Sequence, residues 1–236
     1  MDQAHRSRSP AIRSEAMDDL HTDALPDAAD ALIVDEHRSW TSTEVWDQAN
    51  RLAHRIRAAT VTDGARLQRV AVFAANSGEA VIAHLAGLRS GASVVPINAH
   101  LASPEVAYQL VAADVGLILA APETADRALT AAASSRQVQV QTWGTSMWDR
   151  WLDRAPSGPP PDDVAIPPNL LFTSGTTGAP KGVVLTHGNI ISNVNAVQQV
   201  HDVRADDVSC AFLPWANAFG LTCELFGMMS GGGSLG

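Results

Sequence analysis

Apolar positions along the chain change their period several times, and each change marks a predicted element. Ala31-Leu32-Ile33-Val34 is a short continuous apolar run, read as a strand, with Ser39-Trp40-Thr41 as its pairing partner. Thr41-x-x-Glu44 has the form of a capping box, and Val45, Ala49, Leu52, Ala53 and Ile56 follow it at helical spacing. Val70-Ala71-Val72-Phe73-Ala74 is apolar without interruption, as in a strand buried on both faces. Asn76 or Ser77 can cap the next helix, which runs through Leu88, and Gly91 stands where a helix C-terminus favours positive φ. Ser93-Val94-Val95-Pro96-Ile97 is a further strand. Ser103-Pro104-Glu105 offers an N-cap, a first-turn proline and a first-turn acid for a helix to about Ala113. A strand at Gly116–Ala120, a helix at Thr124–Ser134 and a strand at Val138–Val140 continue the alternation.

Strands alternating with helices of this length predict an α/β fold of doubly wound, mostly parallel sheets. Four stretches are expected along the chain. Residues 1–28 are rich in Asp, Arg, Ser and His without periodicity and read as a loosely ordered lead-in. Residues 29–154 form a first α/β part, and 155–168, with Pro156, Pro159, Pro160 and Pro161, form a linker. In residues 169–236, Leu170-Leu171-Phe172 runs into a Gly/Thr-rich loop and Val183-Val184-Leu185 leaves it. A helix from about His187 to Val200, a strand at Val208–Phe212 and a helix at Leu221–Met229 follow, before the glycine-rich stretch from Gly231. There is no internal repeat.

Composition narrows the functional classes. At 46% hydrophobic and 17% charged residues the chain is that of a soluble globular protein. A net charge of -9 and the lack of a basic stripe interleaved with aromatics argue against nucleic acid as a partner. The first ten residues are polar, unlike a secretory signal, and no apolar run reaches the roughly 20 residues of a membrane span. The expected location is the cytoplasm, where Cys210 and Cys223 are read as buried free thiols rather than a disulfide. No Cys/His cluster has zinc-site spacing.

The chemistry sits in Thr173-Ser174-Gly175-Thr176-Thr177-Gly178-Ala179-Pro180-Lys181-Gly182. A triphosphate needs many short donors and no bulky side chain in the way. Gly175 and Gly178 allow close approach and unusual φ, so that backbone N–H groups can form an anion nest. Thr173, Ser174, Thr176 and Thr177 add hydroxyls, and Lys181 adds a mobile charge. Fifteen of the sixteen Lys and Arg residues are arginine, so Lys181 is the single lysine in the chain. The loop is not a Walker A motif, because Lys181 follows Pro180 and precedes Gly182.

Phe172 to Val183, followed by Thr186-His187-x-Asn189, resembles the signature loop of the adenylate-forming (AMP-binding) superfamily. That group includes acyl-CoA synthetases, adenylation domains of peptide synthetases and luciferases. Trp40–Ile56 and Leu88–Ile97 are similar to two further stretches of the family, and Leu213-Pro214-Trp215-Ala216-Asn217-Ala218-Phe219-Gly220 resembles the segment lining its acid pocket. The resemblance runs from about residue 30 to the end and is most like the N-terminal half of a fatty-acid–CoA ligase. It implies ATP-dependent activation of a carboxylic acid, fatty acids being favoured, to acyl-AMP and then acyl-CoA. It implies ATP, Mg2+ and CoA as cofactor and co-substrates. Thr173, Ser174, Gly175, Thr176, Thr177, Gly178 and Lys181 would bind the ATP phosphates; Trp215, Asn217, Phe219 and Gly220 would shape the acid pocket. Trp215 and Phe219 have core readings as well.

Two departures qualify the expectation. Asn217 stands where relatives typically carry histidine, and asparagine can hydrogen-bond a carboxylate but cannot carry charge. Relatives also continue for at least the length of this chain, and the missing part supplies the adenine, ribose and magnesium contacts and the family's catalytic lysine. No residue here is expected to replace that lysine or to hold the metal. Three readings remain: an acid–CoA ligase that is incomplete on its own, a non-catalytic remnant or half of a split enzyme with a complementing C-terminal half, and an acyl-AMP ligase that serves a carrier protein.

Overall fold

The computed structural model of the 236-residue chain describes residues 31–34, 38–59, 61–62, 65–66, 69–135, 138–156, 158–160, 169–173, 178–201 and 203–236. The expected lead-in at 1–28 and most of the expected linker, residues 157 and 161–168, lie outside the described residues.

The architecture is built on a six-stranded sheet. Its strands are β5 (Arg69–Ala74), β6 (Ser93–Asn98), β7 (Leu117–Ala120), β8 (Gln139–Thr142), β9 (Asn169–Thr173) and β10 (Lys181–Leu185), in the spatial order β10-β9-β6-β5-β7-β8. Every neighbouring pair is parallel except β9 and β10, which form an antiparallel hairpin. The α/β expectation therefore holds, with one antiparallel edge.

The alternation of β5 shows how the layers form. Val70 and Val72 face one core together with α2 (Gly78–Arg89) and α1 (Ser42–Ala59). Ala71 and Phe73 face a second core with α3 (Ser103–Ala112) and α4 (Ala125–Ala133). A strand buried on both faces needs apolar residues at every position, which is why this run shows no polar alternation. After β5 the chain crosses to β6 on one side, and after β6 it crosses back to β7 on the other. The C-terminal end of β5 is consequently a topological switch point, the place where α/β sheets open a crevice.

A second sheet, of order β11-β12-β1-β2, packs against the α1 and α2 side. It joins β1 (Ala31–Val34) and β2 (Ser39–Thr41), which are antiparallel, to β12 (Ser234–Leu235) and β11 (Val208–Ser209), which are parallel neighbours. A two-stranded hairpin of β3 (Val61–Thr62) and β4 (Ala65–Arg66) follows α1.

Local chemistry explains most helix ends. The Thr41 amide donates to a Glu44 carboxylate oxygen at 2.9 Å, and the Glu44 amide donates to Thr41 Oγ1 at 3.2 Å, a reciprocal capping box. The Thr41 amide, together with the Thr41 hydroxyl that donates to the same carboxylate oxygen at 3.1 Å, holds the Glu44 carboxyl below its usual range. Ser77, not Asn76, caps α2, accepting from the Ala80 amide at 3.2 Å. Gly91 has φ 80 after that helix, as its position predicts. Ser103 is the first helical residue of α3 rather than its cap; the Glu105 carboxylate reaches back to the Ala102 amide at 2.9 Å and holds that end.

Several elements differ from expectation, among them a helix at Ser146–Leu152, β11 and the helix from Gly220. Helix α5 (Ser146–Leu152) is capped by Thr145 Oγ1, which accepts from the Trp148 amide at 3.1 Å. It buries no residue fully, so its apolar pattern is weak. The predicted strand at Val208–Phe212 shortens to two residues, and the predicted helix at Leu221–Met229 is a π-helix (Gly220–Phe226) running into α7 (Gly227–Gly231).

Candidate functional site

The signature loop spans the turn of the β9–β10 hairpin. Thr173 ends β9 and lies opposite Lys181, which opens β10. The two residues therefore stand at the mouth of the turn, and Lys181 is exposed. Thr173 Oγ1 lies 3.4 Å from the Lys181 carbonyl oxygen, at the limit of a hydrogen bond. Ser174, Gly175, Thr176 and Thr177 lie outside the described residues. Gly178 does not have positive φ, and a Cβ added there would meet nothing within 4 Å. The expectation of unusual φ at Gly178 is thus corrected; its glycine leaves the turn open instead.

The outgoing arm of the turn is held from α3. The Tyr108 hydroxyl donates to the Pro180 carbonyl at 3.0 Å, and its ring meets Phe172 edge-to-face at 6.4 Å between centroids. Tyr108 thus bridges both arms of the hairpin. Beyond β10, Thr186 and Asn189 cap α6 (His187–His201) reciprocally. Asn189 Oδ1 accepts from the Thr186 amide at 3.0 Å, and Thr186 Oγ1 accepts from the Asn189 amide at 3.2 Å. The Thr186-His187-x-Asn189 part of the signature is a capping box with asparagine in the usual place of glutamate.

The 213–220 segment is a tight turn leading into the π-helix. The Asn217 amide donates to the Pro214 carbonyl at 2.8 Å, and the Leu221 amide donates to the Asn217 carbonyl at 2.9 Å. Gly220 is buried, and a Cβ there would lie 2.8 Å from the Pro214 carbonyl oxygen, so only glycine lets the turn close. Trp215 is 7% exposed and belongs to the core on the α1 and α2 side. Its indole Nε1 donates to Glu224 Oε2 at 3.2 Å. Asn217 and Phe219 are exposed, and Asn217 Oδ1 accepts from the Phe219 amide at 2.9 Å. The structure thus separates the four residues: Trp215 and Gly220 inward, Asn217 and Phe219 outward.

Sequence reasoning missed the groups that fasten this segment. Asn76, two residues beyond β5, donates from Nδ2 to the Ala211 and Leu213 carbonyls at 2.9 and 2.8 Å and accepts the Trp215 amide on Oδ1 at 3.1 Å. Glu224 is 8% exposed, and burial raises its carboxyl pKa against the opposing pull of the Trp215 indole. A lone acid within the apolar stretch Gly220–Met229 was the available signal for Glu224; Asn76 looked like a helix cap.

One further titratable group is buried nearby. His84 on α2 is 3% exposed and meets Phe226 of the π-helix edge-to-face at 5.7 Å. Burial pushes its imidazole down to about 4, with the side chain of Asn169 opposing the shift. Cys210 is exposed and Cys223 half-buried; the two are unpaired, and Cys210 is not the buried thiol the sequence suggested.

Among the described residues, no group of three or more His, Cys, Asp and Glu side chains could hold a metal ion. No helix among them is long and apolar enough to cross a membrane.

Comparison with known proteins agrees with this geometry. A feruloyl-CoA synthase of Amycolatopsis is 33% identical over 190 residues, which cover 78% of this chain and 36% of that protein. A long-chain-fatty-acid–CoA ligase of Mycobacterium tuberculosis is 33% identical over 189 residues, covering 78% of this chain and 37% of the ligase. The crystal structure of ATP-bound MatB from Rhodopseudomonas palustris superposes with a TM-score of 0.75 at 25% identity, over 94% of this chain and 44% of that one. The chain therefore spans little more than a third of these curated relatives. The family model described as AMP-binding enzyme matches residues 21–236, and the chain belongs to that family.

Proposed function

We propose that this chain carries the phosphate-binding and acid-binding portions of an enzyme that activates a carboxylic acid with ATP. The observation that carries the reading is the β9–β10 hairpin, which sets Thr173 and Lys181 opposite each other at the ends of a Ser/Thr/Gly turn in a chain of the AMP-binding family. A carboxylate oxygen attacks the α-phosphorus of MgATP, the bond to the bridging oxygen breaks, and pyrophosphate leaves. Thr173, Ser174, Gly175, Thr176, Thr177, Gly178 and Lys181 bind the β- and γ-phosphates and stabilise the charge that builds on the leaving group. The metal arrives with the nucleotide as part of the substrate. The sulfur of a thiol, that of CoA, then attacks the acyl carbonyl of acyl-AMP; AMP leaves and the thiol proton passes to solvent.

Asn217 and Phe219 face outward together and suit the two ends of a lipophilic acid, an amide for the carboxylate and a ring for the apolar tail. The names of the relatives, a feruloyl-CoA synthase and a long-chain-fatty-acid–CoA ligase, support an acid of either aryl or fatty type. The test is direct detection of acyl-AMP by mass spectrometry after incubation with ATP, Mg2+ and either ferulate or palmitate. An acyl-AMP mass that requires both ATP and the acid supports the reading; none with either acid, or with a wider panel of acids, contradicts it.

A further inference from the structure

Asn76 stands at the switch point of the large sheet and is bonded to the segment that forms the outward-facing turn. Both hydrogens of its amide nitrogen are used, on the Ala211 and Leu213 carbonyls, and its oxygen takes the Trp215 amide. A planar group with three partners on one strand of chain acts as a clamp, because that chain cannot slide without breaking all three bonds together. At the other side of the turn, Glu224 on the π-helix receives the Trp215 indole. A carboxyl group 8% exposed in an otherwise apolar helix is costly to bury, and π-helical turns recur at functional sites. Trp215 is thereby held twice, by its backbone from Asn76 and by its ring from Glu224. The turn between Trp215 and Gly220 is closed by the Asn217-to-Pro214 bond and by a glycine that no side chain could replace without displacing the Pro214 carbonyl. What this frame presents outward is the Asn217 amide and the Phe219 ring, the latter 61% exposed.

We propose that Asn76 and Glu224 are positioning residues that hold Trp215 and the 213–220 turn as the acid-binding wall of the site, so that they set affinity for the carboxylic acid and leave affinity for ATP unchanged. The proposal rests on the acid-activating reading above. Neither residue is part of the phosphate loop, and both act through Trp215.

The experiment measures acid-dependent exchange of pyrophosphate into ATP, with ferulate and palmitate as probes, in the wild type and in Glu224→Leu, Glu224→Gln, Asn76→Ala and Asn76→Asp. Removing the acceptor in Glu224→Leu raises the KM for the acid at least about tenfold, the scale of one charge-assisted bond, while the KM for ATP stays within about twofold. Glu224→Gln keeps an acceptor oxygen and returns the acid KM to within about threefold of wild type. Asn76→Ala behaves as Glu224→Leu, and Asn76→Asp, which keeps only the acceptor side of the clamp, falls between. Equal changes in both constants, no change in either, or a Glu224→Gln variant as impaired as Glu224→Leu overturns the positioning role. Should Glu224→Leu fail to fold, the Glu224→Gln and Asn76→Asp constants decide the matter by the same split. A wild-type chain without exchange overturns the acid-activating reading and the positioning role with it, whereas exchange with unsplit constants overturns the positioning role alone.

Discussion

Lys181 is the single lysine of the chain and stands exposed at the first position of β10, across from Thr173. Its charge is free to follow a phosphate, and an arginine fork would present a different geometry. Gly220 is constrained in the opposite sense, because the carbonyls of Leu213 and Pro214 occupy the space a β-carbon would need. We expect Gly220→Ala to cost about 1–3 kcal/mol of stability through overpacking, read as a lowered midpoint in urea. His84 gives a pH signature. Its folded pKa of about 4 lies below the unfolded value of 6.5, so the unfolded chain binds the extra proton between those limits. Stability is therefore undiminished above pH 6.5 and falls as pH drops towards 4. Between pH 7 and pH 4.5 the wild type should lose roughly 2–3 kcal/mol more than His84→Leu in denaturant titrations. Equal losses in the two proteins would show that His84 is not the titrating group.

At the scale of elements, the caps were legible and the irregular segments were not. Thr41, Glu44 and Gly91 act as their positions suggested, because capping and left-handed turns depend on a few adjacent residues. Thr41→Ala should lower stability by about 1 kcal/mol, and Thr186→Ala should have a similar effect at the start of α6, both checked by thermal melts. The two strands around the Gly/Thr turn were legible as apolar runs, whereas their antiparallel pairing as β9 and β10 was not expected. The shortened β11 was not, because its expected continuation bonds to Asn76, 135 positions away for Ala211, instead of pairing in a sheet. The same holds for β12, a two-residue strand set by pairing with β11 and with β1 from the opposite end of the chain. The π-helix is invisible to a 3.6-residue pattern by definition.

For the whole molecule, periodicity was sufficient for the α/β class because β5, β6 and β7 are buried on both faces and read as continuous apolar runs. The candidate site was half legible. The Thr173–Lys181 stretch is a local motif, whereas the Asn76–Trp215–Glu224 frame is assembled from distant residues and appears only once the sheet brings β5 beneath the 211–220 segment. Edge strand β10 carries Val184 at 56% exposure, and Phe212 is 77% exposed, so the β9–β10 hairpin and the 211–220 segment both border open apolar surface. The chain matches 36% and 37% of its two curated relatives, which leaves the larger part of those proteins without a counterpart here.

On the proposed function, the loop carrying Lys181 grips the phosphates of ATP while a carboxylic acid is activated. The deciding measurement is acid-dependent pyrophosphate–ATP exchange, compared between the wild type and Lys181→Ala. Exchange should require the acid, and the KM for ATP should rise about tenfold to a hundredfold in the variant, the equivalent of one charge-assisted hydrogen bond. Exchange that is robust and unaffected by Lys181→Ala would contradict it.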